Sequence, residues 1–148
     1  MYVNNQRVEY EKYKRFNKIG IYTIKLIINI KITDAKFMFK NCWNIIEINM
    51  SKYNTEYITN MELFFAGCHK LKHVDLSLFD TKNVLSMECM FSGCSNLETL
   101  DLSSFDTKNV EHMYSMFKSC SNLETIDLSS FDTKKVINMS EMFEYALI

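Results

Sequence analysis

The sequence predicts an α/β solenoid with one short helix and one parallel strand per 26-residue repeat, closed at its N-terminal end by a strand cap. Three observations carry this. Cys42, Cys68, Cys94 and Cys120 fall at a constant interval of 26 residues, and such regularity marks a repeat architecture. Within each interval apolar residues first follow a helical spacing and then an extended one. The 148 residues are 47% hydrophobic and 24% charged, which suffices for a core and is too apolar for a solvated, disordered chain. The reading divides the chain into an N-terminal polar segment and strand cap (1–34) and a repeat region (35–148). The latter holds three full repeats, a degraded first copy and a terminal half repeat.

Met1 is followed by the polar stretch Tyr2-Val3-Asn4-Asn5-Gln6-Arg7. No charged start leads into an apolar run, so no secretory signal is expected here. The most apolar stretch, Ile19 to Ile32, is interrupted by Lys25, Asn29 and Lys31. A membrane helix needs roughly 20 apolar residues, so no integral membrane segment is expected. Tyr22, Ile24, Leu26, Ile28, Ile30 and Ile32 alternate with Thr23, Lys25, Asn29 and Lys31, Ile27 being the one misfit. Period two predicts a half-buried strand, the cap.

Each repeat opens on a Met-Phe segment. Met90-Phe91-Ser92-Gly93-Cys94 recurs as Met116-Phe117-Lys118-Ser119-Cys120, more loosely as Phe64-Phe65-Ala66-Gly67-Cys68 and Met38-Phe39-Lys40-Asn41-Cys42, and in part at Met142-Phe143. Met87, Met90, Phe91 and Cys94 lie at i, i+3, i+4 and i+7, one face of a short helix. Ser86, Asn60 and Asn138 stand where its N-cap would be, and Asn138 has Glu141 three residues on, a capping-box spacing. Asn41, Gly67 and Gly93 share the column of the expected helix stop and suit a left-handed residue. Ser119 and Tyr145 suit it less well.

The second half of each repeat reads as a strand. Leu97, Leu100 and Leu102 follow L-x-x-L-x-L, the spacing of a leucine-rich-repeat strand, as do Leu71-Val74-Leu76 and Leu123-Ile126-Leu128. The copy from Ile45 is degraded. An Asp-Thr-Lys turn follows, in which Asp80, Asp106 and Asp132 can bond their own backbone two residues on. No single helix-plus-strand unit can bury its own face, so the copies must stack.

Residues 84–110 carry nearly intact the unit M-x-x-M-F-x-x-C-x-x-L-x-x-L-D-L-S-x-F-D-T-x-x-V, and 35–143 carry it in graded form. In this the chain resembles the BspA-like leucine-rich-repeat family of surface proteins, whose unit is also known as a mycoplasma lipoprotein repeat. The resemblance implies a surface-exposed solenoid and, in some members, adhesion to host proteins. Here the N-terminal stretch shows neither a signal nor a lipobox cysteine, which makes cytoplasmic the alternative location.

The charge and motif content narrow the function. A formal net charge of −1 speaks against a nucleic-acid binder. The cysteine column reads as a buried ladder of free thiols: helices packed about 10 Å apart would hold the cysteines too far apart to pair, and no C-x-x-C exists for zinc. Cys89, outside the column, is the expected oxidisable thiol. The columns Met61/Met87/Met113/Met139 and Met38/Met90/Met116/Met142 read as core. So does Phe39/Phe65/Phe91/Phe117/Phe143. His69, His73 and His112 are scattered, and no nucleophile or phosphate motif is present. The chain is therefore expected to be neither an enzyme nor a cofactor or metal binder. Two Asn-x-Ser sequons, at Asn49 and Asn138, would matter only in a secreted protein.

The candidate ligand surface is the outward face of the strands. With Leu100 and Leu102 inward, stacking aligns Asn49, Asp75, Asp101 and Asp127 in one column and Ser77, Ser103 and Ser129 in the next. Strand neighbours stand about 4.8 Å apart, so the carboxylates repel and would welcome a cation or a basic partner surface; a solvated ladder eased by the serines is the alternative. A second acid column, Asp80/Asp106/Asp132, should be compensated by Lys82/Lys108/Lys134. The expected function is a non-enzymatic protein-binding module of the cell surface, with an intracellular interaction scaffold as the alternative. The apolar terminal half repeat, Met139 to Ile148, lacks the polar cap that repeat stacks need. Either the chain is a fragment, or this end associates with another molecule, for instance end to end with a second copy.

Overall fold

The computed structural model describes residues 2–3, 6–7, 31–50 and 52–147. Near the N-terminus β1 (Tyr2–Val3) pairs antiparallel with β2 (Gln6–Arg7). The expected cap strand lies, but for Lys31 and Ile32, outside the described residues.

The helix-and-strand solenoid expected from the sequence does not form. Among the described residues there is no helix, and within the repeats only β3 (Glu47–Asn49) and β4 (His73–Asp75) are strands, paired in parallel. The Met-Phe segment folds instead as a run of tight turns. Met90, Ser92 and Cys94 donate their N–H groups to the carbonyls of Met87, Cys89 and Phe91, three residues back, at 3.0–3.2 Å. The alternate N–H groups leave the unit altogether. Those of Met87, Cys89, Phe91 and Gly93 donate to the carbonyls of His112, Tyr114, Met116 and Lys118 at 2.8–3.0 Å. An α-helix would send every N–H to a carbonyl four residues back. Here half of them bind the next unit, so the helix cannot close.

Backbone dihedrals enforce this alternation. Cys89 (φ 52°) and Gly93 (φ 74°) are left-handed, as are Leu63 and Gly67, Ser115 and Ser119, Phe37 and Asn41, and Glu141 and Tyr145. A left-handed residue every fourth position interrupts any helix. The left-handed column anticipated at 41, 67, 93, 119 and 145 is present, but it lies within a turn run and ends no helix. The anticipated caps also make their local contacts without a helix. Asn60 Oδ1 accepts the Glu62 N–H at 2.9 Å, and Asn138 Oδ1 accepts that of Ser140 at 3.0 Å. The capping box is absent, because Glu141 faces Tyr114, Ser115 and Lys118 of the preceding unit.

The inward set is the expected one except at the last unit, where Met139 and Phe143, read as core columns, are exposed because no further unit among the described residues covers them. Met87, Met90, Phe91 and Cys94 are all fully buried, as are Leu71, Leu97 and Leu123. Five rings, Phe39, Phe65, Phe91, Phe117 and Phe143, form one continuous stack with centroids 5.5–5.8 Å apart and planes within 21°. Such offset pairs add about 0.5–1.5 kcal/mol each beyond area burial. A second, looser row runs Tyr53, Phe79, Phe105. The Met-Phe turn runs make one wall of the stack, the turn wall, and the second halves of the repeats, with β3 and β4, make the other, the strand wall; just ahead of each turn run a one-residue parallel ladder joins Asp34, Asn60, Ser86, His112 and Asn138.

The Asp-Thr-Lys corner carries a contact that the sequence reading missed. Thr81 and Thr107 are buried, and each hydroxyl serves the next unit twice. Thr81 Oγ1 accepts the Asp106 N–H at 2.8 Å and donates to the Asp106 carbonyl at 3.0 Å. Thr107 does the same for Asp132. The carboxylates of Asp80, Asp106 and Asp132 accept the N–H of Lys82, Lys108 and Lys134 as expected, and pair with their ammonium groups.

The thiols are free, though the spacing that led to that expectation was wrong. Hydrogen-bonded units stand about 5 Å apart, as strands do, and not 10 Å. Cys68, Cys94 and Cys120 each donate S–H to a phenylalanine carbonyl of the preceding unit, at 3.1–3.3 Å. Burial pushes Cys68 and Cys120 up to about 12 and Cys94 well above its ordinary value. Cys89 is only half-exposed, and burial followed by the Glu88 and Glu62 charges raises it as well. It is therefore a less reactive thiol than expected.

Candidate functional site

The strand wall starts regular and then opens. In β3 and β4, Glu47, Ile48 and Asn49 stand opposite His73, Val74 and Asp75. In the next unit a single backbone bond remains, from the Glu98 N–H to the Lys72 carbonyl at 3.3 Å. Among the described residues no backbone bond joins 99–101 to 125–127. The turn wall stays tightly bonded along the same units, so the two walls part on the strand side.

A groove of about 320 Å³ lies where the strand wall parts, lined by His73, Val74, Thr99, Leu100, Asp101, Thr125, Ile126 and Asp127. Its cross-section follows from side-chain alternation. Leu100 is buried and Val74 and Ile126 are half-buried, so this apolar column forms the floor. His73, Thr99 and Thr125 stand exposed on one side, and Asp101 and Asp127 on the other.

The residues picked from sequence fall in two groups. Asp101 and Asp127 border the groove. Asp75 lies just outside it, at the end of β4, and Asn49 caps the row on β3. Ser77, Ser103 and Ser129 are exposed, but their first duty is local: their N–H groups donate to Asp75, Asp101 and Asp127 at 2.8–3.1 Å. These bonds hold the three carboxylates below their ordinary range. At Asp75 the Ser77 hydroxyl is the larger cause; at Asp101 and Asp127 it is the backbone N–H. The acid row is therefore ionised and oriented before any partner arrives. His73, read from the sequence as one of three scattered histidines, and Thr99, read only as facing outward, meet at 3.4 Å across the groove's edge, and the Lys72 ammonium pairs with Glu98 at 2.6 Å. Only the outward position of these residues could have signalled them.

The other chemical candidates stay apart. His69 Nδ1 lies 2.9 Å from the Gly93 carbonyl, and His112 lies 3.6 Å from Glu88. Among the described residues no three His, Cys, Asp or Glu side chains gather as metal ligands, and no helix is long and apolar enough to cross a membrane.

Stacked 26-residue turn units with an open, acid-edged groove on one wall define the class: a repeat protein whose distinguishing feature is a surface. The family described as "Mycoplasma protein of unknown function, DUF285" matches residues 31–147, the whole of the stack, and the chain belongs to it. No curated protein and no solved structure matches the chain.

Proposed function

We propose that the chain is a non-enzymatic protein-binding module of the cell surface, engaging its partner at the groove of the strand wall. The groove carries this reading. It exposes backbone that the neighbouring strands leave unbonded, beside a row of pre-oriented carboxylates and over an apolar floor. Protein partners are held by such mixtures of main-chain, apolar and charged contacts. The resemblance of the repeat to that of BspA-like surface proteins supports the location.

A photo-crosslinking residue placed at Thr125 tests the site on intact source cells. A discrete protein adduct is expected, reduced several-fold when Asp101→Asn and Asp127→Asn are combined. An adduct pattern no different from that of a crosslinker at Lys118, on the turn wall, would sink the assignment of the face. Protection of the chain from protease added outside intact cells would sink the location.

A further inference from the structure

The molecule carries two columns of aspartates built to one local plan, and only one column is neutralised. At the corner, Asp80, Asp106 and Asp132 each accept at Oδ1 the N–H of the lysine two residues on. The ammonium of that same lysine then reaches Oδ2, at 2.9, 2.6 and 3.4 Å. On the strand wall, Asp75, Asp101 and Asp127 accept at Oδ1 the N–H of Ser77, Ser103 and Ser129 in the same way. Here a serine stands where the corner has lysine, so no ammonium follows. Among the described residues no ion pair reaches any of these three carboxylates.

The imbalance is concentrated around the groove. Residues 72–77, 98–103 and 124–129 hold five carboxylates, Asp75, Glu98, Asp101, Glu124 and Asp127, against the single lysine Lys72, although the whole chain has a formal net charge of only −1. Lys72 is taken by Glu98 at 2.6 Å, and His73 Nε2 lies 3.8 Å from the same carboxylate. No cation of these stretches is left for Asp101 and Asp127, which are exposed along one edge of the groove. Stacked units stand about 5 Å apart, so the like charges repel and folding alone does not relieve them. Beside this edge runs the apolar floor of Val74, Leu100 and Ile126.

We infer that the occupant of the groove is an extended cationic segment of another polypeptide, which sets lysine or arginine side chains on the Oδ2 atoms of Asp101 and Asp127 and an apolar side chain on the floor beside them. This rests on the reading of the groove as a protein-binding site and names what it binds. The partner supplies from outside what Lys82, Lys108 and Lys134 supply within the corner. Same-face residues of an extended segment lie about 7 Å apart, a separation that flexible basic side chains bridge to carboxylates about 5 Å apart. A bare cation satisfies the acid edge and leaves the floor uncovered, whereas a chain of mixed basic and apolar residues meets both.

The test uses the full 148-residue chain and, as probe, the fluorescein-labelled peptide Gly-Lys-Val-Lys-Gly-Lys-Val-Lys-Gly. Anisotropy should show saturable binding that weakens several-fold as salt is raised from about 50 to 300 mM. Glutamine in place of each lysine of the peptide should abolish it. Asp101→Asn combined with Asp127→Asn keeps an acceptor for the serine N–H groups and should weaken binding about tenfold. Asp106→Asn combined with Asp132→Asn removes the same charge at the corner and should bind as the parent does. Ser103→Lys combined with Ser129→Lys rebuilds the corner's pairing on the strand wall and should weaken binding as much as the groove's own Asn pair, with a melt within a few degrees of the parent. Equal losses in the two Asn pairs, or no loss in the lysine pair, mean a diffuse attraction of charge and overturn the inference. So does calcium or spermidine binding more tightly than the peptide and failing in the same variants, because the occupant is then a small cation. On intact cells, a crosslinked adduct at Thr125 undiminished by the lysine pair overturns the cationic occupant and leaves the groove a binding site; absence of any adduct there overturns both.

Discussion

The turn wall and the strand wall share one 26-residue period, yet they end up with opposite characters. On the turn wall each unit hands four N–H groups to the next, and its apolar columns are closed on both sides. On the strand wall the parallel pairing of β3 with β4 fades within two units, and the columns facing out are Thr, Asp and Ser. A repeat therefore does not distribute its cohesion evenly. The wall that buries phenylalanine and methionine fixes the unit spacing, and the wall that exposes hydroxyls and carboxylates is left to part.

The largest effect should come from the turn wall. Phe91→Ala removes the central ring of the stack from a site with no solvent exposure. It should cost about 3–5 kcal/mol in denaturant unfolding. Ile126→Ala, half-buried on the strand wall, should cost less than half as much; equal losses would erase the contrast. A smaller step tests the corner that joins the walls. Thr107→Val keeps the shape but strips the hydroxyl from the Asp132 N–H and carbonyl, with an expected loss of about 1–3 kcal/mol. Ser103→Ala, on the exposed wall, should stay within about 0.5 kcal/mol. If Thr107→Val is as mild, the buried hydroxyl column is not what couples the units.

The smallest effect is electrostatic. Lys118 and then Tyr114 hold Glu141 down to about 2, and the serine contacts depress Asp75, Asp101 and Asp127. A carboxylate depressed by folding stabilises the native chain above its ordinary pKa. That contribution is lost as the pH falls through the folded value. Melting temperature should therefore be flat above about pH 5 and decline between about pH 4.5 and 2. Glu141→Gln should flatten part of that decline without moving the neutral-pH melt by more than a few degrees. A decline unchanged by Glu141→Gln would assign the acid sensitivity to the strand-wall row and to the lysine-paired Asp80, Asp106 and Asp132 of the corner.

Much of the interior was legible in the sequence, and the backbone that holds it was not. Met87, Met90, Phe91 and Cys94 point inward in an α-helix and in a run of three-residue turns alike, so the i, i+3, i+4, i+7 pattern cannot distinguish the two. One half of the distinguishing signal was present, in the small residues at 41, 67 and 93. The other half, the left-handed column Phe37, Leu63, Cys89, Ser115 and Glu141, has no compositional mark, because the bonds to adjacent units hold those residues there. The Asp turns were readable because an Asx contact is local. The threonines beside them were not, because their partners lie 25 residues away. The acid row was found and its serine locks were half anticipated, but the groove was invisible. It arises from strands that fail to pair, and no residue type encodes a missing bond.

The constant register of the bonds between units also bears on how such a gene can change length. Every junction repeats the same forward bonds, and the same backward one from Thr59, Leu85, Glu111 or Ile137, in one register. Duplicating or deleting a whole number of 26-codon blocks leaves each ring above a ring and each thiol beneath its carbonyl. Any other insertion puts the downstream columns out of phase. Recombination between copies is therefore tolerated at one spacing and its multiples, so a lineage could vary how far the stack reaches while its cross-section stays the same.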